Sequence, residues 1–184
     1  MSVQVDDAEI LSKFQDEKTR NEAFNLLLKK YQQKLYWHIR RMVVDHDDAD
    51  DLIQDTFIKV WKNLPGFRND AQLYTWMYRI ATNECITFLN KKKQKNNIPL
   101  DDVAYDLADT LADSSYFNGD QAQLKLQQAI LTLPDKQRLV FNMKYYDDMK
   151  YEEISDVLGT SVGALKASFH LAVKKIEAFL LSKD

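Results

Sequence analysis

Phe24, Leu27, Leu28, Tyr31, Leu35, Ile39 and Met42 recur every three or four residues, with one adjacent pair, and no glycine or proline interrupts them. On an α-helix that spacing gathers every member onto one face for some five turns. A strand would scatter them across both faces of a sheet. A helix this long with an apolar side must bury it against other helices. Four glycines and three prolines in 184 residues leave few turn signals, which again favours long helices over many short strands. The expected fold class is all-α.

Other segments repeat the pattern. Ile10, Leu11 and Phe14 begin a short amphipathic piece. Thr19 or Asn21, with Glu22 close behind, offers N-cap chemistry to the long helix. Asp50–Asn63 reads as a further helix, ended by Leu64–Phe67. The next starts near Tyr74 and runs into a basic tail, Asn90–Lys95. Helical spacing resumes from Gln121 through Leu124, Ile130 and Leu131. Pro134 suits the first turn of a helix carrying Leu139, Val140 and Met143.

Charge divides the chain. Residues 1–95 carry 16 basic and 14 acidic side chains, residues 96–120 six aspartates and no basic residue, and residues 121–184 nine basic and eight acidic. The net charge of −3 is therefore concentrated in one segment, a linker signature. That segment has too little apolar surface to offset its ordering entropy and reads as a flexible acidic tether between two helical domains. No apolar run reaches membrane-spanning length, and the amino terminus lacks a signal-peptide pattern. The single Cys85 has no internal disulfide partner. Cytoplasmic localisation, without membrane insertion, is expected.

Three stretches carry candidate chemistry. The first holds six aspartates between Asp45 and Asp55. A calcium loop beginning at Asp45 would need an oxygen ligand at its fifth position and glycine at its sixth, where Ala49 and Asp50 stand. His38, His46 and His170 lack the carboxylate pairing of a helical metal-dependent phosphohydrolase. Serine–histidine–acid and phosphate-loop patterns are absent too. No catalytic residue, metal or cofactor is expected. On a helix, Ile53, Phe57, Val60, Trp61 and Leu64 form the core face, and Asp51, Gln54, Asp55 and Ile58 line the opposite one. Acids in a first turn complement the helix dipole, which accounts for Asp47 to Asp51. It does not account for Ile58. An aliphatic residue rimmed by acids suits a docking surface for a basic partner helix.

In the second stretch, Tyr74–Lys95, Met77, Ala81, Cys85 and Phe88 form a core stripe. Trp76, Arg79, Asn83 and Asn90 lie roughly opposite, above a lysine cluster. That face suits stacking on unpaired bases with lysines along phosphates. The alternative places Trp76 in the core and uses the lysines to complement a helix C-terminus.

The third stretch, Tyr151–Leu180, reads as a short helix ending on Gly159, a tight turn, and a second helix N-capped by Ser161. Leu165, Phe169, Ala172, Ile176 and Phe179 form the buried stripe of that second helix. Gly163, Lys166, Ala167, His170, Leu171 and Lys174 face outward. This is a helix-turn-helix pattern with small residues early on the outer face, as close approach to a major groove requires. A plain helical hairpin with a solvated lysine face fits the pattern equally.

Taken in order, "DADDLIQDTFIKVWKNLPGF", "YTWMYRIATNECITFLNKK" and "LPDKQRLVFNMKYYDDMKYEEISDVLGTSVGALKASFHLAVKKI" resemble the bacterial sigma factors of the extracytoplasmic-function (ECF) group over nearly the whole chain. The resemblance implies a specificity subunit of RNA polymerase without catalytic chemistry. Residues 1–95 would be sigma domain two, 96–120 the linker and 121–184 sigma domain four. Asp51, Gln54, Asp55 and Ile58 would hold the clamp coiled coil of the largest core subunit, and the flap of the second largest would also be a partner. Phe67, Trp76, Arg79 and Asn83 would capture the melted minus-ten strand, with Asn83 bordering a pocket for a flipped-out base. Ser161, Lys166, Ala167, Ser168, His170 and Lys174 would read the minus-thirty-five element of promoter DNA. Family members commonly have an anti-sigma factor as a further partner. One departure stands out: the recognition helix has Lys166, Ser168 and Leu171 where the family usually carries several arginines. Fewer bidentate guanine contacts are then expected, with an A/T-tolerant or weakly bound upstream element.

Overall fold

The structure, a computed structural model, describes residues 5–96 and 121–182. The described residues contain eight α-helices and no strand: α1 (Asp7–Gln15), α2 (Arg20–Val43), α3 (His46–Asn63), α4 (Leu73–Asn96), α5 (Gln121–Leu131), α6 (Asp135–Tyr145), α7 (Tyr151–Leu158) and α8 (Val162–Leu181), with a 3-10 turn at Leu64–Gly66. The expected acidic tether lies outside the described residues except for Asn96, which closes α4.

The heptad-like stripe that predicted α2 is its buried side: Leu27, Tyr31, Leu35, Ile39 and Met42 are all buried. α1 folds onto it through Ile10 and Phe14, and a polar clasp fixes the pairing. The Tyr31 hydroxyl donates to the Asp7 carboxylate at 2.7 Å, and Lys30 Nζ donates to the same carboxylate at 2.8 Å. Burial first, then the bond to Asp7, raises the pKa of the Tyr31 phenol. Thr19 holds the N-cap position of α2, but its hydroxyl donates to the Lys13 carbonyl at 2.7 Å instead of capping. The hydroxyl thus ties α1 to the start of α2.

α2 turns into α3 at Val44, whose φ is 66°. A β-branched residue in that region costs on the order of 1–3 kcal/mol, held in place by burial of the side chain. α3 then starts cleanly, with the Asp45 carboxylate accepting from the Asp48 amide at 2.9 Å. Its Ile53, Phe57, Val60 and the following Leu64 are buried as expected, with Trp61 partly so. Trp61 packs edge-on against Phe14 and Phe24.

In α4 the stripe runs Met77, Ala81, Cys85 and then Leu89; Phe88 is only half-buried. Tyr78 and Thr82 are buried as well, because α4 packs on α2 and α3 and also on α7. Pro134 sits one residue earlier than expected, at the N-cap of α6, with extended ψ of 145°. Gly159 adopts the left-handed conformation (φ 63°) that ends α7, and Ser161 Oγ accepts from the Ala164 amide at 3.4 Å at the start of α8.

The two groups of helices share a core. Leu139, Val140, Met143, Met149, Ile154, Val157 and Leu165 belong to the same buried cluster as the α1–α4 residues. A smaller cluster of Ala129, Ile130, Leu133, Phe141, Ala172 and Ile176 joins α5, α6 and α8.

Candidate functional site

The acidic stretch separates into two kinds of carboxylate. Asp45 caps α3, Asp48 receives Lys92 Nζ at 3.1 Å, and Asp50 lies 3.5 Å from His46 Nε2. These serve the helix and its neighbour. Asp51 and Asp55 are exposed and pair with no described residue. Gln54 is exposed beside them, and Ile58 on the same face is 51% exposed. A lone exposed aliphatic residue is ordinary. Here it completes a helical row with two carboxylates that the fold leaves unpaired. Among the described residues no cluster of histidine, cysteine or carboxylate could hold a metal ion.

On α4 the expected row is only partly open. Trp76 is half-buried, its ring 5.1 Å from that of Phe67, so the tryptophan joins the core margin while keeping an edge in solvent. Arg79 is exposed, yet its guanidinium donates to the Asp156 carbonyl in the last turn of α7, from Nε at 2.9 Å and from Nη2 as well. Asn83 is exposed and bonded to no described residue. Between Phe67 and Leu73 the loop exposes Arg68, Asn69 and Asp70, with Asn69 in the left-handed region at φ 59°. The basic tail also divides: Lys92 pairs with Asp48 and Lys93 with Asp135, whereas Lys91 and Lys95 are exposed. Cys85, on the inner side, is fully buried, and burial pushes its thiol up to about 12, so it offers no thiolate chemistry.

On α8, Lys166, Ala167, His170, Leu171 and Lys174 are exposed, as are the small Gly163 and Ala164. Leu171 is 49% exposed. Ser168 is half-buried, and the Ser161 hydroxyl is occupied as the cap, so neither side chain is fully presented on that face.

A buried polar cluster went unread in the sequence. His38 is fully buried, its Nε2 2.9 Å from Thr82 Oγ1 and its Nδ1 3.4 Å from Asp147 Oδ2. The Asp147 side chain, 6% exposed, accepts from Arg41 Nη1 at 2.8 Å. Arg41 in turn lies over the Tyr146 ring, 4.5 Å from its centroid. His38 and Asp147 are 109 positions apart. For His38 the only local sign was a polar residue beside the apolar stripe of α2, and Asp147 lies in the turn after α6.

Comparison with known proteins gives the family. Residues 27–95 match Sigma-70 region 2 and residues 123–176 match Sigma-70, region 4. The RNA polymerase sigma-H factor of Pseudomonas aeruginosa is 31% identical, the match covering 86% of each chain. The ECF RNA polymerase sigma factor SigW of Bacillus subtilis is 30% identical over 85% of this chain and 88% of its own. In fold, the chain is similar to CnrH solved with the cytosolic domain of CnrY, at a TM-score of 0.68, 23% identity, and coverage of 95% and 97%. It is equally similar, at TM-score 0.68 and 21% identity, to RpoE solved with the anti-sigma factor NepR from Bartonella quintana, covering 88% and 98%. Two regions in order, an all-helical fold, and relatives matched along most of their length agree: this chain belongs to the ECF group of RNA polymerase sigma factors.

Proposed function

We propose that this chain binds core RNA polymerase in the cytoplasm and directs it to promoters, with the outward row of α3 as its grip. The supporting observation is the row itself: Asp51, Gln54, Asp55 and Ile58 are exposed together, and neither aspartate pairs with a described residue. Two unpaired carboxylates around an aliphatic residue match a basic helical partner, the clamp coiled coil of the largest subunit. The flap of the second largest subunit is the expected partner of the carboxy-terminal helices.

Residues 1–95 then act as the module that grips polymerase and captures the minus-ten strand, with Phe67, Trp76, Arg79 and Asn83 facing unpaired bases. The exposed edge of Trp76 and the exposed Asn83 support stacking and hydrogen bonding there. Residues 121–184 place α8 in the major groove of the minus-thirty-five element, through Lys166, Ala167, His170 and Lys174, with Ser161 and Ser168 at its margin. Leu171 and Ala167 are placed for thymine methyls, and only two lysines on that face anchor phosphates, which favours an A/T-tolerant upstream box. The 96–120 segment links the modules. Two solved relatives in fold are complexes, one with a partner's cytosolic domain and one with an anti-sigma factor. An anti-sigma factor is accordingly a candidate partner here.

Run-off transcription with purified core enzyme tests this reading. Asp55→Arg is expected to weaken polymerase capture roughly a hundredfold, whereas Asn83→Ala keeps capture and weakens strand opening. Equal losses of both steps in both variants would contradict the division.

A further inference from the structure

We infer that Glu84 is a positioning residue for the polymerase grip: by holding Lys59 across the α3–α4 seam, it keeps that lysine off the row of Asp51 and Asp55. The inference rests on the reading of that row as the contact for core RNA polymerase.

On a helix, side chains three or four positions apart are neighbours. The positions so related to Asp51 hold Asp47, Asp48, Gln54 and Asp55, and those related to Asp55 hold Asp51, Leu52, Ile58 and Lys59. Lys59 is therefore the one basic residue in helical reach of either aspartate. An acid four residues before a lysine is also the favoured order for such a pair. Left to itself, α3 would join Lys59 to Asp55, and the anionic row would lose one of its two charges. Lys62 is in line with the row but lies seven positions beyond Asp55, two turns away.

The fold makes a different pair. Lys59 Nζ donates to Glu84 Oε1 on α4. The Glu84 side chain is 17% exposed and that of Lys59 50%, so the carboxylate is set against the helix seam and the lysine is the arm that can swing. A partly buried pair is screened less than an exposed one, which favours Glu84 over the exposed Asp55. Glu84 has no competing cation on its own helix, where the neighbouring positions are Ile80, Ala81, Thr87 and Phe88. The other end of the seam repeats the device: Lys92 Nζ donates to Asp48 Oδ2 at 3.1 Å, again a carboxylate outside the row. Two lysines at the seam are thus spent elsewhere, and Asp51 and Asp55 pair with no described residue.

Neutralising Glu84 releases Lys59 to Asp55. A basic partner helix must then displace the lysine and approach against its charge. Charges at the edge of a contact act chiefly on association rate and its salt dependence.

The test measures association rate and affinity of the full chain for core RNA polymerase, at low and at raised salt. Glu84→Gln is expected to bind roughly threefold more weakly at low salt through slower association, with the deficit shrinking as salt rises. Lys59→Gln is expected to bind no more weakly than the wild type. The double variant should match Lys59→Gln, because Glu84 has nothing to position once the lysine is gone. Thermal melts establish that each variant is folded. A loss from Glu84→Gln that persists without Lys59 would make Glu84 a contact in its own right. A loss from Lys59→Gln alone would put the lysine in the contact. Either result, or unchanged binding of Glu84→Gln, overturns the inference. Asp55→Arg measured alongside separates the two levels: if it weakens binding and Glu84→Gln does not, the grip stands and the positioning role fails. If neither weakens binding, the grip itself fails and takes the positioning role with it.

Discussion

The outer row of α3 and the outer row of α4 have similar exposure in the sequence pattern and opposite fates in the fold. Asp51 and Asp55 face solvent with no described partner, whereas Arg79 is bound by a carbonyl of α7 and Trp76 leans onto Phe67. In that row of α4, Asn83 and Asn90 are exposed like the aspartates of α3. The contrast shows that an amphipathic stripe identifies what could face a partner, but not which partner arrives first. One face is ready in the free chain; the other is shared with the chain's own carboxy-terminal helices.

The largest expected effect is on the ready face. Asp55→Arg replaces a complementary charge with a repelling one, so its affinity for core polymerase should fall by about 3 kcal/mol or more, roughly a hundredfold. Its melting temperature should not move, because the side chain is exposed and pairs with no described residue; titration by fluorescence anisotropy and a thermal melt check both halves. Asn83→Ala comes next. Loss of one base contact should weaken capture of the melted strand by the assembled enzyme by about 1–3 kcal/mol, with polymerase binding unchanged. A competition assay with a non-template oligonucleotide measures it. The smallest is Ile58→Ala, about 1 kcal/mol in polymerase affinity from lost apolar contact, and nothing in stability. If it instead lowers the melting temperature, Ile58 belongs to the fold and the contrast weakens.

Much of the architecture could be read in advance because it depends on local chemistry. The stripe from Phe24 to Met42 dictated α2, Gly159 and Ser161 ended α7 and began α8, and Asp47–Asp51 marked the acidic start of α3, which begins at His46, four residues before the expected Asp50. The outward row of α3 was legible too, since every member lies on one helix. What escaped was non-local. Arg79 meets Asp156 at a separation of 77 residues and Arg41 meets Asp147 at 106, and no periodicity encodes such pairs. For the same reason the core stripe read on α4 did not include Tyr78 and Thr82, which are buried where α4 packs on its neighbours. The lysine tail reads as one patch in the sequence, but half of it is committed to Asp48 and Asp135.

The most direct measurement is equilibrium binding of labelled full-length chain to core RNA polymerase, wild type against Asp55→Arg, at fixed salt. The account predicts roughly hundredfold weaker binding for a variant that melts at the same temperature. Equal affinity of the two proteins would contradict it.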